Sequence, residues 1–458
     1  MLYSSPLPYQ NDASAYFAAI RDLPWAAWLD SGGSGRYDIL VAQPVVTLVT
    51  QGGYTEIADN SGVRRVQEEE LELLHTQLGS PITPMPGMPF AGGALGYWGY
   101  DLARRTHRLP ALALDAENLP DMALGIYDWA LVIDHQELNA CLVSRQRHAE
   151  TAQVLPQILE RLQNAAFSAK GCESVQFKVL GKITSNLTPA AYRTAFNLVQ
   201  QYLRDGDCYQ VNLAQRYSAN AEGDAFAAYL ELRRLSPAPY SAFLNWPQLQ
   251  ILCASPERFL QMQQGRVETK PIKGTRARNA DAAEDARLAQ ELSQHPKDRA
   301  ENLMIVDLLR NDLGKSCEPG TVRVPKLFEV ESYSNVHHLV STVEGSLRSG
   351  RGATDVLRDC FPGGSITGAP KQRAMEIIEQ LEPNRRGVYC GVIGYVGYDG
   401  NMDSNIAIRT LVYSNREIRC WAGGGIVADS DCAAEYQETL DKAAAMLELL
   451  RRFGGEVG

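Results

Sequence analysis

Short apolar segments broken by glycine and proline recur in the first part of this chain, and they constrain its fold more than any other feature. Residues 37–42 and 45–49 are apolar runs of strand length, and residues 92–100 form a similar run punctuated by glycines. Runs of this kind between turn-forming residues are typical of β-strands. The N-terminal part is therefore predicted to be rich in short strands.

Beyond residue 187, helical signals alternate with further strands. Thr188 followed by Pro189 is a good helix start, apolar spacing continues to Leu203, and Gly206 suits the helix end, which predicts a helix over residues 189–205. The same spacing predicts helices over residues 68–78, 225–235, 297–311, 369–381 and 433–452, and strands are predicted over residues 208–217, 266–269, 322–324, 388–398, 406–413 and 418–422. A polar stretch, residues 164–186, predicts a seam between an N-terminal portion, residues 1–170, and a second portion, residues 185–455.

Composition excludes several classes of function. A formal net charge of −10 disfavours binding to phosphate backbones, so nucleic acid is not an expected partner. No run of about 18 apolar residues occurs, and the first ten residues lack a signal-peptide pattern, so we expect no membrane segment and no export. The nine cysteines are dispersed without a C-x-x-C pair, which predicts reduced thiols in a cytoplasmic protein.

Two acidic pairs have the i, i+3 spacing of one helix face: Asp298 with Glu301, and Glu435 with Glu438. If the two helices meet, their carboxylates would form an oxygen-rich site for a divalent cation such as Mg²⁺. The alternative from pattern alone is a solvated acidic face. The apolar residues that directly follow Asn302 favour packing of this helix against the core.

Two glycine-rich segments are candidate ligand-binding backbone. Residues 363–371 lead into a helix, whose free N–H groups would suit a carboxylate or phosphate, although Ala369 and Pro370 interrupt a Walker A pattern. Residues 423–425 are three consecutive glycines at a predicted strand end, where backbone can approach a ligand closely. A structural turn or a bulge remains the alternative for each.

Lys273, Glu257 and His338 are candidates for acid–base or nucleophilic chemistry. Lys273 lies between a predicted strand and a charged loop, where lysine is ordinarily a solvated cation. To act as a nucleophile it must be neutral, and lowering its pKa by about three units costs roughly 4 kcal/mol. Burial beside a bound divalent cation would supply such a shift. Glu257, next to Arg258, is either a buried acid or an ion-pair partner, and His338, next to His337, either titrates near neutrality or packs structurally.

Taken in order, seven segments closely resemble the chorismate-utilising enzymes: residues 271–275, 298–303, 338–340, 363–371, 408–410, 423–427 and 435–442. The resemblance is dense from about residue 188 to the end and looser before it. It implies an α+β fold: a single large body of two facing antiparallel β-sheets flanked by helices, with the active site in the cleft.

The resemblance also implies roles for individual positions. Glu301 and Glu438 match direct Mg²⁺ ligands that link protein and the ring carboxylate of chorismate, while Asp298 and Glu435 match acids that act through water. The enolpyruvyl carboxylate is held at the positions of Arg409, Tyr395 and Gly425. Glu257 matches the acid that assists departure of the ring hydroxyl, and His338 matches a histidine that serves pyruvate elimination in anthranilate synthases. Further positions that match substrate contacts are Gly423, Ser365, Thr275 and Lys442.

Two positions discriminate among the reactions of the family. Isochorismate and salicylate synthases carry a water-activating lysine where this chain has Gln210, so water is not the expected nucleophile. Anthranilate synthases carry alanine where this chain has Lys273, whereas aminodeoxychorismate synthases carry lysine. The match therefore implies amination of chorismate at C4 through a covalent adduct of Lys273.

The resemblance implies partners as well. None of the cysteines lies in the nucleophile pattern of a glutamine amidotransferase, so ammonia is expected from a separate amidotransferase subunit or from solution. Two segments resemble the tryptophan pocket of relatives, and the positions concerned are Ser31, Pro239, Tyr240 and Ser241. The alternatives are an anthranilate synthase component I and a non-catalytic, tryptophan-binding relative.

Overall fold

The computed structural model describes residues 2–166, 176–333 and 336–457. Cys172 and residues 167–175 of the predicted seam lie outside the described residues. The helices are α1 (Ser14–Ile20), α2 (Glu70–Leu78), α3 (Thr151–Ala166), α4 (Pro189–Arg204), α5 (Phe226–Leu235), α6 (Ala282–Gln294), α7 (Pro296–Ser316), α8 (Ala353–Cys360), α9 (Lys371–Leu381) and α10 (Cys432–Arg452), with 3₁₀ turns at Tyr100–Arg105 and Gly364–Ile366.

The strands, in chain order, are β1 (Tyr3–Leu7), β2 (Ala26–Asp30), β3 (Tyr37–Val41), β4 (Val46–Gln51), β5 (Tyr54–Asp59), β6 (Gly62–Val66), β7 (Gly93–Trp98), β8 (Met122–Tyr127), β9 (Trp129–Asp134), β10 (Asn139–Ser144), β11 (Lys178–Ser185), β12 (Gln210–Glu222), β13 (Tyr240–Trp246), β14 (Leu249–Ser255), β15 (Arg258–Gln263), β16 (Arg266–Thr269), β17 (Ile272–Ala277), β18 (Arg323–Ser332), β19 (Val336–Ser346), β20 (Gly368–Ala369), β21 (Val392–Gly397), β22 (Met402–Ile406), β23 (Thr410–Ser414), β24 (Glu417–Ile426) and β25 (Glu456–Val457).

These strands form two large sheets. The first has the order β1-β10-β9-β3-β2-β13-β14-β23-β24-β12-β11-β25, with β20 beside β12, and the second has the order β17-β19-β16-β15-β22-β21-β7-β8-β4-β5-β6, with β18 beside β19. The pairs are antiparallel except that β25 runs parallel to β11. In each sheet the strands of the N-terminal portion occupy one end and those of the C-terminal portion the other. They join where β2 pairs with β13 in the first sheet and where β7 pairs with β21 in the second. The two portions therefore build both sheets jointly.

The main hydrophobic core lies between the two sheets. Trp246 of β13 stacks on Tyr97 of β7 with ring centroids 5.8 Å apart, and apolar side chains of both sheets surround this pair. A second core lies between the first sheet and helices α1, α3, α5 and α10. The predicted α+β body of two facing antiparallel sheets with flanking helices is confirmed.

Most predicted elements lie where the sequence places them, with two informative differences. The helix predicted from residue 369 begins at Lys371, because Gly368 and Ala369 instead pair with β12 as β20. The charged loop predicted after Lys273 is wrong: β17 continues to Ala277, and Asp281 then caps α6 by accepting hydrogen bonds from the N–H groups of Ala283 and Glu284. Lys273 therefore lies on a strand, at an irregularity between the paired positions Ile272 and Thr275.

Two predictions from composition can be compared with the structure. In the described ranges, every helix is either too short or too polar to cross a lipid bilayer. The eight cysteines of the described ranges all carry free thiols, as the dispersed cysteine pattern predicts.

The close approach of the two sheets at Gly96 gives a test of the packing. A Cβ at Gly96 would lie 2.2 Å from the carbonyl oxygen of Ala123 and 2.8 Å from the Trp246 ring, so Gly96→Ala forces the strands and the tryptophan apart. We expect a loss of about 2 kcal/mol in the free energy of unfolding, measured by denaturant titration. Gly53→Ala is the control, since a Cβ there meets no atom within 4 Å. Equal stability of the two variants would contradict this packing.

Candidate active site

The three glycines of β24 allow acidic side chains to approach the sheet. A Cβ at Gly424 would lie 3.0 Å from Oε2 of Glu435 and 3.5 Å from Oε1 of Glu438. Both acids project from α10, whose first turn follows β24 after a short connection, and their i, i+3 spacing puts them on one face. Glycine at this position therefore makes room for two carboxylates against the strand.

Helix α7 brings a third acid to the same place. Nζ of Lys297 lies 3.9 Å from Oε1 of Glu301, on its own helix, and 3.7 Å from Oε1 of Glu435 on α10. Glu301, Glu435 and Glu438, hereafter the acid cluster, are therefore adjacent although they come from two distant segments. The two acidic helices are predicted to meet, and the structure brings these three side chains together.

Burial and neighbouring charges set the pKa values of the acid cluster. Burial raises the pKa of Glu301 against the opposing effect of Lys273 and Lys297, and burial also raises the pKa of Glu435. For Glu438 burial is outweighed by Lys442 and other lysines, so the net effect lowers its pKa. Lysines of three segments thus compensate the negative charge of the acid cluster.

Asp298, the fourth predicted acid, lies apart from this cluster. Its Oδ2 is 3.2 Å from Nη2 of Arg276 and 3.0 Å from Nδ1 of His295. It also packs against Gly274 of β17. One helical turn before Glu301, Asp298 faces the strand that carries Lys273 and contributes an ion pair there.

The donor set of the acid cluster suits a hard divalent cation. Oε2 of Glu435 is buried and has no hydrogen-bond partner among the described residues, so a carboxylate oxygen is left available for a ligand. No three acidic, histidine or cysteine side chains in the described ranges are close enough to complete a metal-binding set by themselves. Mg²⁺ typically takes one or two carboxylates and fills its other positions with water and substrate oxygens, so Mg²⁺ stays a prediction for this cluster.

Lys273 and Glu257 lie together, on either side of Ser365. Nζ of Lys273 donates to the carbonyl oxygen of Ser365 at 3.4 Å, and Oγ of Ser365 donates to Oε1 of Glu257 at 2.8 Å. Burial lowers the pKa of Lys273 despite the nearby Glu301, and burial raises the pKa of Glu257. Both shifts favour the uncharged forms, an amine and a carboxylic acid.

Thr275, His338 and Arg409 form the next part of the site. Thr275 faces His338 across the register of β17 and β19, with Oγ1 2.9 Å from Nδ1. Burial, with a contribution from Arg409, lowers the pKa of His338 to about 4, so its ring is neutral at physiological pH.

Arg409 is a partly buried cation of the site. Burial lowers the pKa of its guanidinium, and no carboxylate pairs with it among the described residues. Its backbone has a φ of 49°, an uncommon conformation for a residue other than glycine. Because an uncompensated buried charge is costly, this arrangement favours an anionic ligand.

Amide side chains lie over the glycines of β24. A Cβ at Gly425 would lie 2.4 Å from Nε2 of Gln210, and a Cβ at Gly423 would lie 2.8 Å from Oδ1 of Asn212. Both amide atoms of Gln210 and Oδ1 of Asn212 are buried without a partner in the described part of the chain. Nζ of Lys442 donates to the carbonyl oxygen of Gly423 at 3.0 Å and lies 2.6 Å from Glu438. Unsatisfied buried polar groups of this kind indicate a ligand-binding surface.

Tyr395 does not join these residues. Its ring packs against Phe90 at 5.1 Å in the core between the sheets, close to Arg258 and Asp403. Tyr389 lies nearer the glycine strand, because it stacks on Trp421 with ring centroids 5.9 Å apart. Strand alternation in β21 directs Tyr395 into the core, so Tyr389 is the better-placed tyrosine.

Sequence reasoning missed three residues of the site: Lys297, Asn212 and Tyr389. Lys297 precedes Glu301 by four residues, and this i, i+4 spacing was an available signal for an ion pair. Asn212 is two residues from Gln210 on the same strand, and strand alternation puts both on one face. Nothing in the local sequence distinguishes Tyr389 from Tyr395.

The four residues of the predicted tryptophan pocket lie near one another, where β2 pairs with β13. A Cβ at Gly35 would lie 3.1 Å from the carbonyl oxygen of Pro239 and 3.2 Å from Ser31. Ser241 pairs with Asp30, and the guanidinium of Arg258 lies 5.1 Å from the Tyr240 ring. Tryptophan binding at this place stays a prediction.

Comparison with known proteins identifies related chains. Aminodeoxychorismate synthase component 1 of Klebsiella aerogenes is 49% identical over 452 residues, which is 97% of this chain and 98% of that protein. Anthranilate synthase component 1 of Streptomyces coelicolor is 40% identical, over 92% of this chain and 82% of that protein. The crystal structure of anthranilate synthase component I from Streptococcus pneumoniae TIGR4 matches with a TM-score of 0.78 at 34% identity, over 90% of this chain and 92% of that one.

The family described as chorismate binding enzyme matches residues 26–448, nearly the whole length of both sheets. With the fold, the converging acids and the near-full-length relatives in agreement, the chain belongs to the chorismate binding enzyme family.

Proposed function

We propose that this chain is the chorismate-aminating subunit of an aminodeoxychorismate synthase. It converts chorismate to 4-amino-4-deoxychorismate, which leads to para-aminobenzoate and folate. The observation that carries the proposal is the position of Lys273, a desolvated amine beside both a buried acid, Glu257, and the acid cluster. Relatives at 49% and 46% identity over nearly the full chain are named aminodeoxychorismate synthase component 1, which supports the assignment.

The two carboxylates of chorismate fit two different parts of the site. The enolpyruvyl carboxylate pairs with the guanidinium of Arg409 and with backbone N–H groups at Gly425. The ring carboxylate faces the acid cluster, where Glu301 and Glu438 would hold Mg²⁺, with Glu435 next to them. When bound, Mg²⁺ supplies the positive charge that lets the ring carboxylate lie against these acids. Fixing both carboxylates orients one face of the ring toward Lys273.

Lys273 then acts as the nucleophile. Its neutral amine attacks C2 of chorismate, both ring double bonds shift by one position to become C1=C6 and C4=C5, and the 4-hydroxyl leaves as water with the proton of Glu257. Ammonia next adds at C4, both double bonds shift back, and the C2–N bond breaks to release the lysine. A proton from the new ammonium returns to Glu257, so the two displacements are balanced.

The neighbours of Lys273 support this chemistry without supplying another nucleophile. Gln210 is an amide and cannot activate water as a base. His338 is neutral and hydrogen-bonded to Thr275, so it serves as a hydrogen-bonding partner near the chorismate ring.

Ammonia is proposed to come from a separate glutamine amidotransferase subunit. The name component 1 of the relatives supports a second component. Tryptophan is proposed as a structural ligand at Ser31, Pro239, Tyr240 and Ser241.

The direct test is turnover of chorismate with Mg²⁺ and ammonium chloride, with the product identified by mass. We expect 4-amino-4-deoxychorismate, with no release of pyruvate. Fluorescent anthranilate as the product would establish an anthranilate synthase instead. Absence of turnover together with absence of Mg²⁺ binding by calorimetry would indicate a non-catalytic relative.

Lys273→Ala tests the covalent step. We expect the adduct found by intact-protein mass spectrometry of quenched wild-type reactions to disappear, and amination to slow by about 100-fold or more. Lys270→Ala, which removes a nearby lysine paired with Glu331, is the matched control and should keep the adduct. An unchanged amination rate in Lys273→Ala would remove this lysine from the mechanism.

His338→Gln tests the neutral state of the histidine. The folded-state pKa of about 4 lies below the ordinary 6.5, so the unfolded chain binds more protons between these values. Wild-type stability should therefore be fully present above pH 6.5 and fall by on the order of 3 kcal/mol as pH drops toward 4. In denaturant titrations at several pH values, the free energy of unfolding of His338→Gln should decrease less than that of wild type as pH falls. The exposed variant His75→Gln should show the same decrease as wild type. An equal decrease in wild type and His338→Gln would contradict a neutral His338.

A further inference from the structure

Lys297 is a cation of the site that has no part in the chemistry proposed above. Its ammonium lies between Glu301 of α7 and Glu435 of α10, at 3.9 and 3.7 Å. It is thus a positive charge that bridges two carboxylates of the acid cluster from two different helices.

The position of Lys297 in its own helix is electrostatically unfavourable. It is the second residue of α7, and the first turn of a helix disfavours positive charge because of the free N–H groups and the helix dipole. The favourable partners of Lys297 are therefore the carboxylates of Glu301 and Glu435. A lysine in the first turn opposes the electrostatic preference of a helix N-terminus. Residues that oppose such local preferences are more typical of functional sites than of ordinary exposed helix surfaces.

We propose that Lys297 is an internal competitor for the metal at this site: its ammonium bridges Glu301 and Glu435, and a divalent cation has to displace it to bind. The inference rests on the proposed function, which places Mg²⁺ at Glu301, one of these two carboxylates, and next to Glu435, the other. The competition lowers the affinity for the metal alone, so that tight binding requires the additional oxygen ligands of the dicarboxylate substrate.

The contacts of Lys297 make displacement feasible. Both of its distances exceed hydrogen-bonding range, and its side chain is 47% exposed, so it can swing into solvent on its flexible stem. Lys442 and Lys273 differ, because each donates a hydrogen bond to a backbone carbonyl, at Gly423 and Ser365 respectively. Among these three lysines, Lys297 is the one that can leave at little cost.

Magnesium titration calorimetry of the full chain tests the proposal. Lys297→Met removes a half-exposed ammonium that competes with the metal for two largely buried carboxylates, so its Kd for Mg²⁺ should be about three- to tenfold lower than that of wild type. Lys326→Met is the control for net charge, since Lys326 is an exposed lysine that pairs with Glu329. Equal or weaker Mg²⁺ binding by Lys297→Met would overturn the competition.

Two further results separate this inference from the proposed function. If wild type binds Mg²⁺ and Glu438→Gln weakens that binding, the proposed metal site is supported independently of the result for Lys297→Met. If wild type binds no Mg²⁺ even with chorismate present, both proposals are overturned.

Amine labelling of the wild-type protein provides a test that needs no variant. Because the metal releases Lys297 into solvent, saturating Mg²⁺ should raise its rate of acetylation severalfold, as measured by peptide mass spectrometry. The rate at Lys326 should not change. An unchanged or lower rate at Lys297 would contradict displacement.

Discussion

The convergence of carboxylates on the glycine strand is the constraint on which the rest of the site depends. Gly424 allows Glu435 and Glu438 to lie against the sheet. A Cβ at position 424 would lie only 3.0 Å from Oε2 of Glu435. The same strand presents Gly423 and Gly425 to the amides of Asn212 and Gln210. Glycine therefore makes one strand accessible from both sides, which a strand of ordinary residues would block.

Charge compensation follows from that convergence. Three buried or half-buried acids in one place repel each other, and the structure places Lys273, Lys297 and Lys442 around them. The arrangement has a chemical consequence, because desolvation leaves Lys273 with a lowered pKa while Glu301 partly opposes the effect. Arg409, in contrast, is partly buried with no carboxylate paired to it among the described residues, so the positive charge of Arg409 and the negative charge of the acid cluster lie in separate parts of the site.

The predictions that succeeded rest on local patterns. The caps at Thr188 and Pro189 define a helix that the structure reproduces to within one residue, Pro189–Arg204. The i, i+3 spacing of Glu435 and Glu438 likewise places both side chains on one face of α10, because this outcome depends only on helix geometry. The charged segment after Lys273 failed as a loop, since its charges mark the exposed face of α6. The side chain of Tyr395 lies in the core between the sheets. Which face of a sheet becomes the core depends on tertiary packing, so the sequence alone does not give the direction in which a strand residue points.

By itself, the sequence determined the mixture of short strands and helices, the acidic pairs, the glycine strand and the presence of a lysine at position 273. Only the tertiary structure decided that Glu301 joins Glu435 and Glu438 while Asp298 turns to Arg276, and that Lys297 lies between two helices. The physical reason is that spacing along a helix fixes which residues share a face, whereas contacts between distant helices depend on how two facing sheets and their flanking helices pack.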